Sequence, residues 1–178
     1  MKATAHAVID RPIEAVWDIV ATVENMEQWV GGVSDVRPPA DGLDVGAHFS
    51  SNYTYRGETF DVDYEVTAVD PPHRLDVRST EGPFPFSGSI RLVEVRAGTA
   101  VSNTIDAGSD SVATSVIFAV FGPLIRRMMR RQLEAELGHL AEAVDETVGA
   151  AGPLPLVQGL IPQSAGHRSS AARGRRQG

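Results

Sequence analysis

Between Thr59 and Val69 apolar and polar side chains alternate without a break, with Phe60, Val62, Tyr64, Val66 and Ala68 on one parity and Thr59, Asp61, Asp63, Glu65 and Thr67 on the other. Period two is what a strand needs to bury one face and wet the other; a helix would carry those carboxylates round into its own core. The segment therefore predicts a half-buried strand in an antiparallel sheet. With Arg56-Gly57 as a two-residue hairpin turn, the register follows: Tyr55 opposite Glu58, Tyr53 opposite Phe60, Ser51 opposite Val62 and Phe49 opposite Tyr64. Phe49, Ser51, Tyr53 and Tyr55 are then expected to share the inward face.

Upstream, residues 3–9 are small or β-branched and read as a strand. Asp10-Arg11-Pro12 leads from it into a helix, with Asp10 or Arg11 near the cap and Pro12 in the first turn. Ile13, Val16, Trp17 and Val20 recur at helical spacing, and a second short helix is predicted around Val23 to Val30, with Met26 and Trp29 on one side. Pro38 to Gly42 reads as a loop, and sheet is expected to begin after Gly46.

Downstream, Asp70-Pro71-Pro72-His73 is a turn before a strand that holds Leu75 and Val77 on one face and Arg74, Asp76 and Arg78 on the other. Strands over 84–95 and 100–107 follow after short turns, which favours an antiparallel meander. Ser109, Asp110 and Ser111 are capable N-caps for a long helix from Val112 to about Val148, with a kink or break expected at Gly122-Pro123. Residues 149–178 are rich in Gly, Pro, Ser and Ala and end basic, so they read as a disordered tail after one domain over 1–148.

Composition narrows the class. An apolar fraction of 42% and a charged fraction of 22% suit a soluble globular chain, and 178 residues suffice for one well-buried core. With no Cys there is no disulfide and no thiolate ligand, and the amino terminus lacks the apolar run of a secretory signal, so a cytoplasmic protein is the expectation. Residues 1–152 hold 12 basic against 23 acidic side chains, a net charge of -11, which repels nucleic acid.

The order of elements, namely strand, two short helices, six antiparallel strands and a long final helix, resembles the helix-grip superfamily of START domains, plant allergen-type ligand binders and the polyketide cyclase/dehydrase group. Local strings carry the resemblance: Val8-Ile9-Asp10-Arg11-Pro12-Ile13-Glu14-Ala15-Val16-Trp17 at the entry to the first helix, Glu27-Gln28-Trp29, Val45-Gly46-Ala47-His48-Phe49, the run Val66 to Leu75, and Gly98-Thr99. It implies an α+β fold in which a curved antiparallel sheet of about seven strands grips the last helix around a cavity. No catalytic motif carries over, and the scaffold serves carriers, receptors, cyclases and protein-interaction modules alike.

Such a cavity would be lined from the sheet by Phe49, Ser51, Tyr53, Phe60, Val62, Tyr64, Leu75, Val77, Phe84 and Phe86, and from the helix by Val116, Val120, Leu124 and Met128. That lining is apolar and aromatic, as for a mostly apolar ligand oriented by one or two hydrogen bonds, although each residue alone is equally at home in a packed core. His6, His48 and His73 are isolated, so neither a metal nor another cofactor is expected. Asp61 and Asp63 read as a wet strand face, and Ser87 and Ser89 lack a nucleophile-elbow motif. Arg126, Arg127, Arg130 and Arg131 form one helix face, read as a solvated stripe paired with Glu134 and Glu136, with peripheral membrane contact as the alternative; 112–125 is too short to span a bilayer. The expected function is binding of a small hydrophobic molecule such as a lipid or polyketide-like metabolite. The alternatives are a cyclase or dehydratase using Tyr53, Tyr64 or an inward Arg to polarise a carbonyl, and an interaction module without a ligand. Oligomeric state is not legible.

Overall fold

Alternation and helical spacing translate into the following elements in the computed structural model, which describes residues 1–108 and 112–150, the side chains of 112–125 excepted. Strand β1 (Lys2–Ile9) leads into α1 (Ile13–Ala21), a 3-10 turn (Val23–Asn25) and α2 (Met26–Trp29). Strands β2 (Val33–Arg37), β3 (His48–Tyr55), β4 (Glu58–Asp70), β5 (Arg74–Glu81), β6 (Phe86–Val95) and β7 (Gly98–Ala107) follow, and α3 (Val112–Ala150) closes the chain. The sheet has seven strands in the order β1-β7-β6-β5-β4-β3-β2, every pair antiparallel. β1 and β2 are its two edges, so α1 and α2 carry the chain from one edge to the other. The architecture is an α+β helix grip.

The β3–β4 hairpin has the predicted register, Tyr55 with Glu58 through Phe49 with Tyr64. Between β4 and β5 the pleat slips twice, first between Asp63 and Tyr64 and again further along. Val66 faces Val77 and Val69 faces Leu75, three residues on β4 against two on β5, with the irregularity between Val66 and Ala68. A bulge adds one residue and reverses parity beyond it, so Val69 joins the core in place of the expected Ala68.

Other boundaries also differ. β2 precedes Gly46, where no sheet was expected; Asp35 has φ 50° and the pairing with β3 shifts between Ser34 and Arg37, so this short edge strand carries no clean alternation. β6 begins at Phe86, not at residue 84. Pro12 occupies the cap position of α1 and no side chain caps that helix, because the proline ring offers no acceptor; Arg11 donates to the Asp10 carbonyl at 2.7 Å. α3 remains helical through Gly122-Pro123, where a kink or break was predicted. The expected caps Ser109, Asp110 and Ser111 and the expected tail from 151 onward lie outside the described residues, and residues 149 and 150 belong to α3.

Leu133, Leu137, Leu140 and Val144 recur at intervals of four, three and four, which sets them on one stripe of α3, and all are fully buried. α3 packs on β1, α1, α2 and β7. Ala3 and Ala5 are the inward residues of β1, and their small side chains admit the helix to the sheet. At the same end, the Gly98-Thr99 pair clasps the β1–α1 corner: the Thr99 hydroxyl donates to the Arg11 carbonyl at 2.8 Å, and a Cβ on Gly98 would stand 2.1 Å from the Ile9 carbonyl oxygen.

Gly98 also has φ +116°, so a side chain there combines a backbone clash with left-handed strain. Gly98→Ala is therefore expected to cost at least about 3 kcal/mol in urea unfolding. Gly57→Ala, at φ +85° in open space, should cost only about 1–2 kcal/mol. Equal losses at the two positions would contradict the clasp.

Candidate functional site

The inward side chains of the sheet do not meet α3 everywhere. Between the sheet, α2 and the described part of α3 lies a cavity of about 500 Å³. Of the residues predicted to line it, Phe49, Tyr53, Val62, Tyr64, Leu75, Val77, Phe84, Phe86 and Met128 do so. Phe84, Met128 and Tyr55 are also exposed to solvent and form its rim.

Two predicted wall residues stand elsewhere. Ser51 is fully buried outside the wall, because its small side chain turns to the Tyr64 hydroxyl at 3.1 Å. Phe60 is half-buried but outside the cavity; β5 pairs with β4 only from Asp63 onward, so the hairpin end that carries Phe60 projects past the neighbouring strand. The predicted Val116, Val120 and Leu124 lie outside the described side chains.

The sheet's contribution is an aromatic wall. Phe49 and Tyr64, directly opposed across β3 and β4, stack with ring centroids 4.6 Å apart and planes 5° from parallel. Tyr64 meets Phe86 edge to face at 5.9 Å, and Phe86 meets Phe84 at 5.9 Å. Such pairs contribute roughly 0.5–1.5 kcal/mol each beyond burial. They leave flat apolar surface facing the cavity. Burial pushes the Tyr64 hydroxyl above its ordinary pKa against the opposing hydrogen bond from Ser51, with the neighbouring Tyr53 adding to the rise, so Tyr64 is a poor proton donor at neutral pH.

Part of the lining was not predicted. α1 and the following segment supply Val20, Val23, Met26, Trp29, Val30 and Val33, and Asn103 and Ile105 on β7 and Gln132 and Glu136 on α3 are also among the lining residues. The helical spacing that set Met26 beside Trp29 was the available signal. Glu136 corrects a reading directly: it was expected to pair with the arginine stripe, yet it is 2% exposed and faces the cavity. It lies three residues after Leu133 and four before Leu140, which places it on the buried stripe. Of the arginines, Arg130 does pair with Glu134 at 2.8 Å, and Arg126, Arg127 and Arg131 are exposed.

Glu136 accepts a hydrogen bond from Gln132 Nε2 at 3.2 Å and another from the Gly31 backbone in the α2–β2 turn. That turn approaches β3 closely at Gly32, whose carbonyl accepts from the Thr54 amide at 2.8 Å and whose Cα, at φ +86°, has no room for a side chain beside Thr54. Burial outweighs both hydrogen bonds, and the carboxyl is pushed up to about 7. Among the described lining residues it is the only acid, and Lys, Arg and His do not occur there, so no cation compensates it within the cavity. Trp29, 8% exposed, has an indole Nε1 that is buried without a hydrogen-bond partner.

Other candidate chemistry falls away from this site. His48 and His73 are exposed, and Asp61 is exposed and pairs with Arg37 at 3.1 Å. Ser89 borders the cavity, but its hydroxyl is taken up by Asp76, to which it donates at 2.7 Å, and Ser87 is exposed. Among the described residues no cluster of three His, Asp or Glu gathers as a metal site, and no helix is long and apolar enough to cross a membrane.

Comparison with known proteins agrees with this geometry. The family described as polyketide cyclase / dehydrase and lipid transport matches residues 1–145. The crystal structure of TTHA0849 from Thermus thermophilus superposes with a TM-score of 0.67 at 18% identity, covering 83% of this chain and 99% of that one. The di-domain ARO/CYC StfQ from the steffimycin biosynthetic pathway superposes with a TM-score of 0.68 at 10% identity, covering 83% of this chain and 52% of StfQ. Methylphloroacetophenone oxidase of Cladonia uncialis is 28% identical over 81 residues, 46% of this chain. The chain spans only 18% of that relative's length.

The burial of Glu136 has a consequence for stability. Folded, the carboxyl keeps its proton up to about pH 7; unfolded, it releases it near its ordinary value of 4.5. The native state thus binds more protons in that interval, and stability falls as pH rises through it, levelling off above about 7. Removing the titration by Glu136→Gln should therefore raise stability relative to wild type by about 3 kcal/mol between pH 4.5 and pH 8. Parallel stability–pH curves from urea denaturation of the two proteins would refute the assignment.

Proposed function

This chain belongs to the polyketide cyclase / dehydrase and lipid transport family, and from that premise we propose that it holds one small, largely apolar molecule in the cavity between the sheet and α3. The observation that carries this reading is the cavity itself. Its volume of about 500 Å³ falls in the range of small-molecule sites, roughly 300–1,000 Å³. A core built only for stability would fill that space, since interiors pack like organic crystals and unfilled volume costs free energy.

The lining argues for the kind of guest. The Phe49–Tyr64–Phe86 wall offers ring faces and edges to an aromatic or polyene surface, and Val62, Val77 and Ile105 offer aliphatic contact. The name of the Cladonia relative, a substituted aryl ketone, and the pathway in which StfQ acts both agree with a polyketide-like guest. A second reading, catalysis of cyclisation or dehydration on such a guest, is favoured by one observation, the carboxyl of Glu136 at about 7 within the cavity, where proton transfer at neutral pH is most effective. Of the groups first expected for that chemistry, Tyr53 lines the cavity, Tyr64 lines it with its hydroxyl engaged by Ser51, and the described lining contains no arginine.

An environment-sensitive apolar dye should bind the purified protein with a Kd of about 1–10 μM. Ile105→Trp, which extends a half-buried lining side chain into the space, should weaken that binding at least about tenfold with the circular dichroism spectrum unchanged. Absence of dye uptake by the wild type, together with an organic extract free of any guest, would remove the proposal.

A further inference from the structure

Resting on the ligand-holding reading of the cavity, we infer that an uncharged guest enters together with a proton, which Glu136 takes up, so that acidification loads the cavity and alkalinisation empties it. Glu136 is the only acid in the described lining, and no Lys, Arg or His stands there to neutralise its anion. Its side chain is buried, and the donors that reach it, Gln132 Nε2 and the Gly31 backbone, are both uncharged. The other titratable groups of that lining are the phenols of Tyr53, Tyr55 and Tyr64. β1, α1, α2 and β7 pack on α3, and their titratable side chains (Lys2, His6, Glu14, Asp18, Glu27 and Asp106) are all exposed. On α3 itself, Arg130, Arg131, Glu134 and His139 are exposed as well. Among the described residues, then, no buried charge from a neighbouring element answers this carboxyl.

An anion held this way keeps its solvation from two neutral donors and from whatever polar medium fills the cavity. Tyr55, Phe84 and Met128 are exposed on the rim, so a cavity of about 500 Å³ admits water when no guest is in it. An apolar guest displaces that water and offers a charge nothing in exchange, whereas the protonated acid loses far less. The guest therefore binds the protonated form more tightly. By reciprocity it raises the proton affinity of the carboxyl by the same factor. Burial already holds that carboxyl at about 7 without a guest, so the exchange falls where a modest change of pH decides which form dominates. The loaded protein binds more protons than the empty one, and affinity for an uncharged guest falls as pH rises through about 7.

The probe is N-phenyl-1-naphthylamine, an apolar fluorescent dye that stays uncharged across the range, titrated into the full chain at several pH values. Its affinity for the wild type is expected to be at least about threefold higher near pH 5.5 than near pH 8.5. Calorimetry near pH 7.5, repeated in buffers of different ionisation enthalpy, should show net proton uptake on binding. Glu136→Gln, a neutral amide in place of the protonated acid, should flatten the affinity profile and abolish the uptake. Glu136→Leu serves the same purpose if the amide variant does not fold. A smaller pH effect in the wild type, an affinity that rises with pH, or a profile and uptake that survive in the Glu136 variants overturns the proton coupling and leaves the cavity reading standing. Failure of the dye to bind the wild type at any pH overturns the ligand-holding reading, and the coupling falls with it.

Discussion

The structure depends on where α3 is anchored. Leu133, Leu137, Leu140 and Val144 bury their stripe against β1, α1, α2 and β7, and each such side chain contributes about 1.5–3 kcal/mol of burial. Ala3 and Ala5 on β1 let the helix approach the sheet, and the Gly98-Thr99 clasp holds the β1–α1 corner beneath it. The opposing inward face of β3, β4 and β6 carries rings, which keep helix and sheet apart. A tight seam at one side and bulky side chains at the other leave a wedge-shaped gap, and the cavity is that gap.

Polar groups in the gap are few, and their placement follows from the same geometry. The aromatic wall is satisfied within itself, because the Tyr64 hydroxyl has Ser51 behind it. The Trp29 indole nitrogen is left without a partner and the Glu136 carboxyl without a cation in the described lining. Both are costly in a low-dielectric interior unless something meets them. The solved structures that share this fold do so at low sequence identity, so the scaffold alone does not fix what the cavity holds.

Much of the sheet was legible in advance because period two is unambiguous where carboxylates and aromatics alternate. The β3–β4 register followed from one turn, Arg56-Gly57, and nine of the fourteen expected lining residues face the cavity. The failures have separate causes. Ala68 and Val69 exchanged roles because a bulge is a pairing event between two strands and leaves no mark in the pattern of one. β2 escaped because Asp35 leaves the extended region within five residues. Phe60 has the right parity but lies past the end of β5's pairing, a matter of relative strand length. Glu136 was legible and misjudged: its spacing from Leu133 and Leu140 placed it on the apolar stripe, while its charge suggested the arginine face.

The amino-acid sequence by itself determined the parity of most strands and the apolar stripe of the closing helix, since each is a local periodicity that neighbouring residues impose on one another; the helix grip was legible only through the resemblance that the order of those elements carries. Tertiary structure alone decided that a cavity remains, that Trp29 and Glu136 both line it, and that the Trp29 indole nitrogen finds no partner and the Glu136 carboxyl no cation in the described lining. Volume and hydrogen-bond satisfaction are properties of surfaces brought together from distant parts of the chain, and no window of the sequence contains both sides.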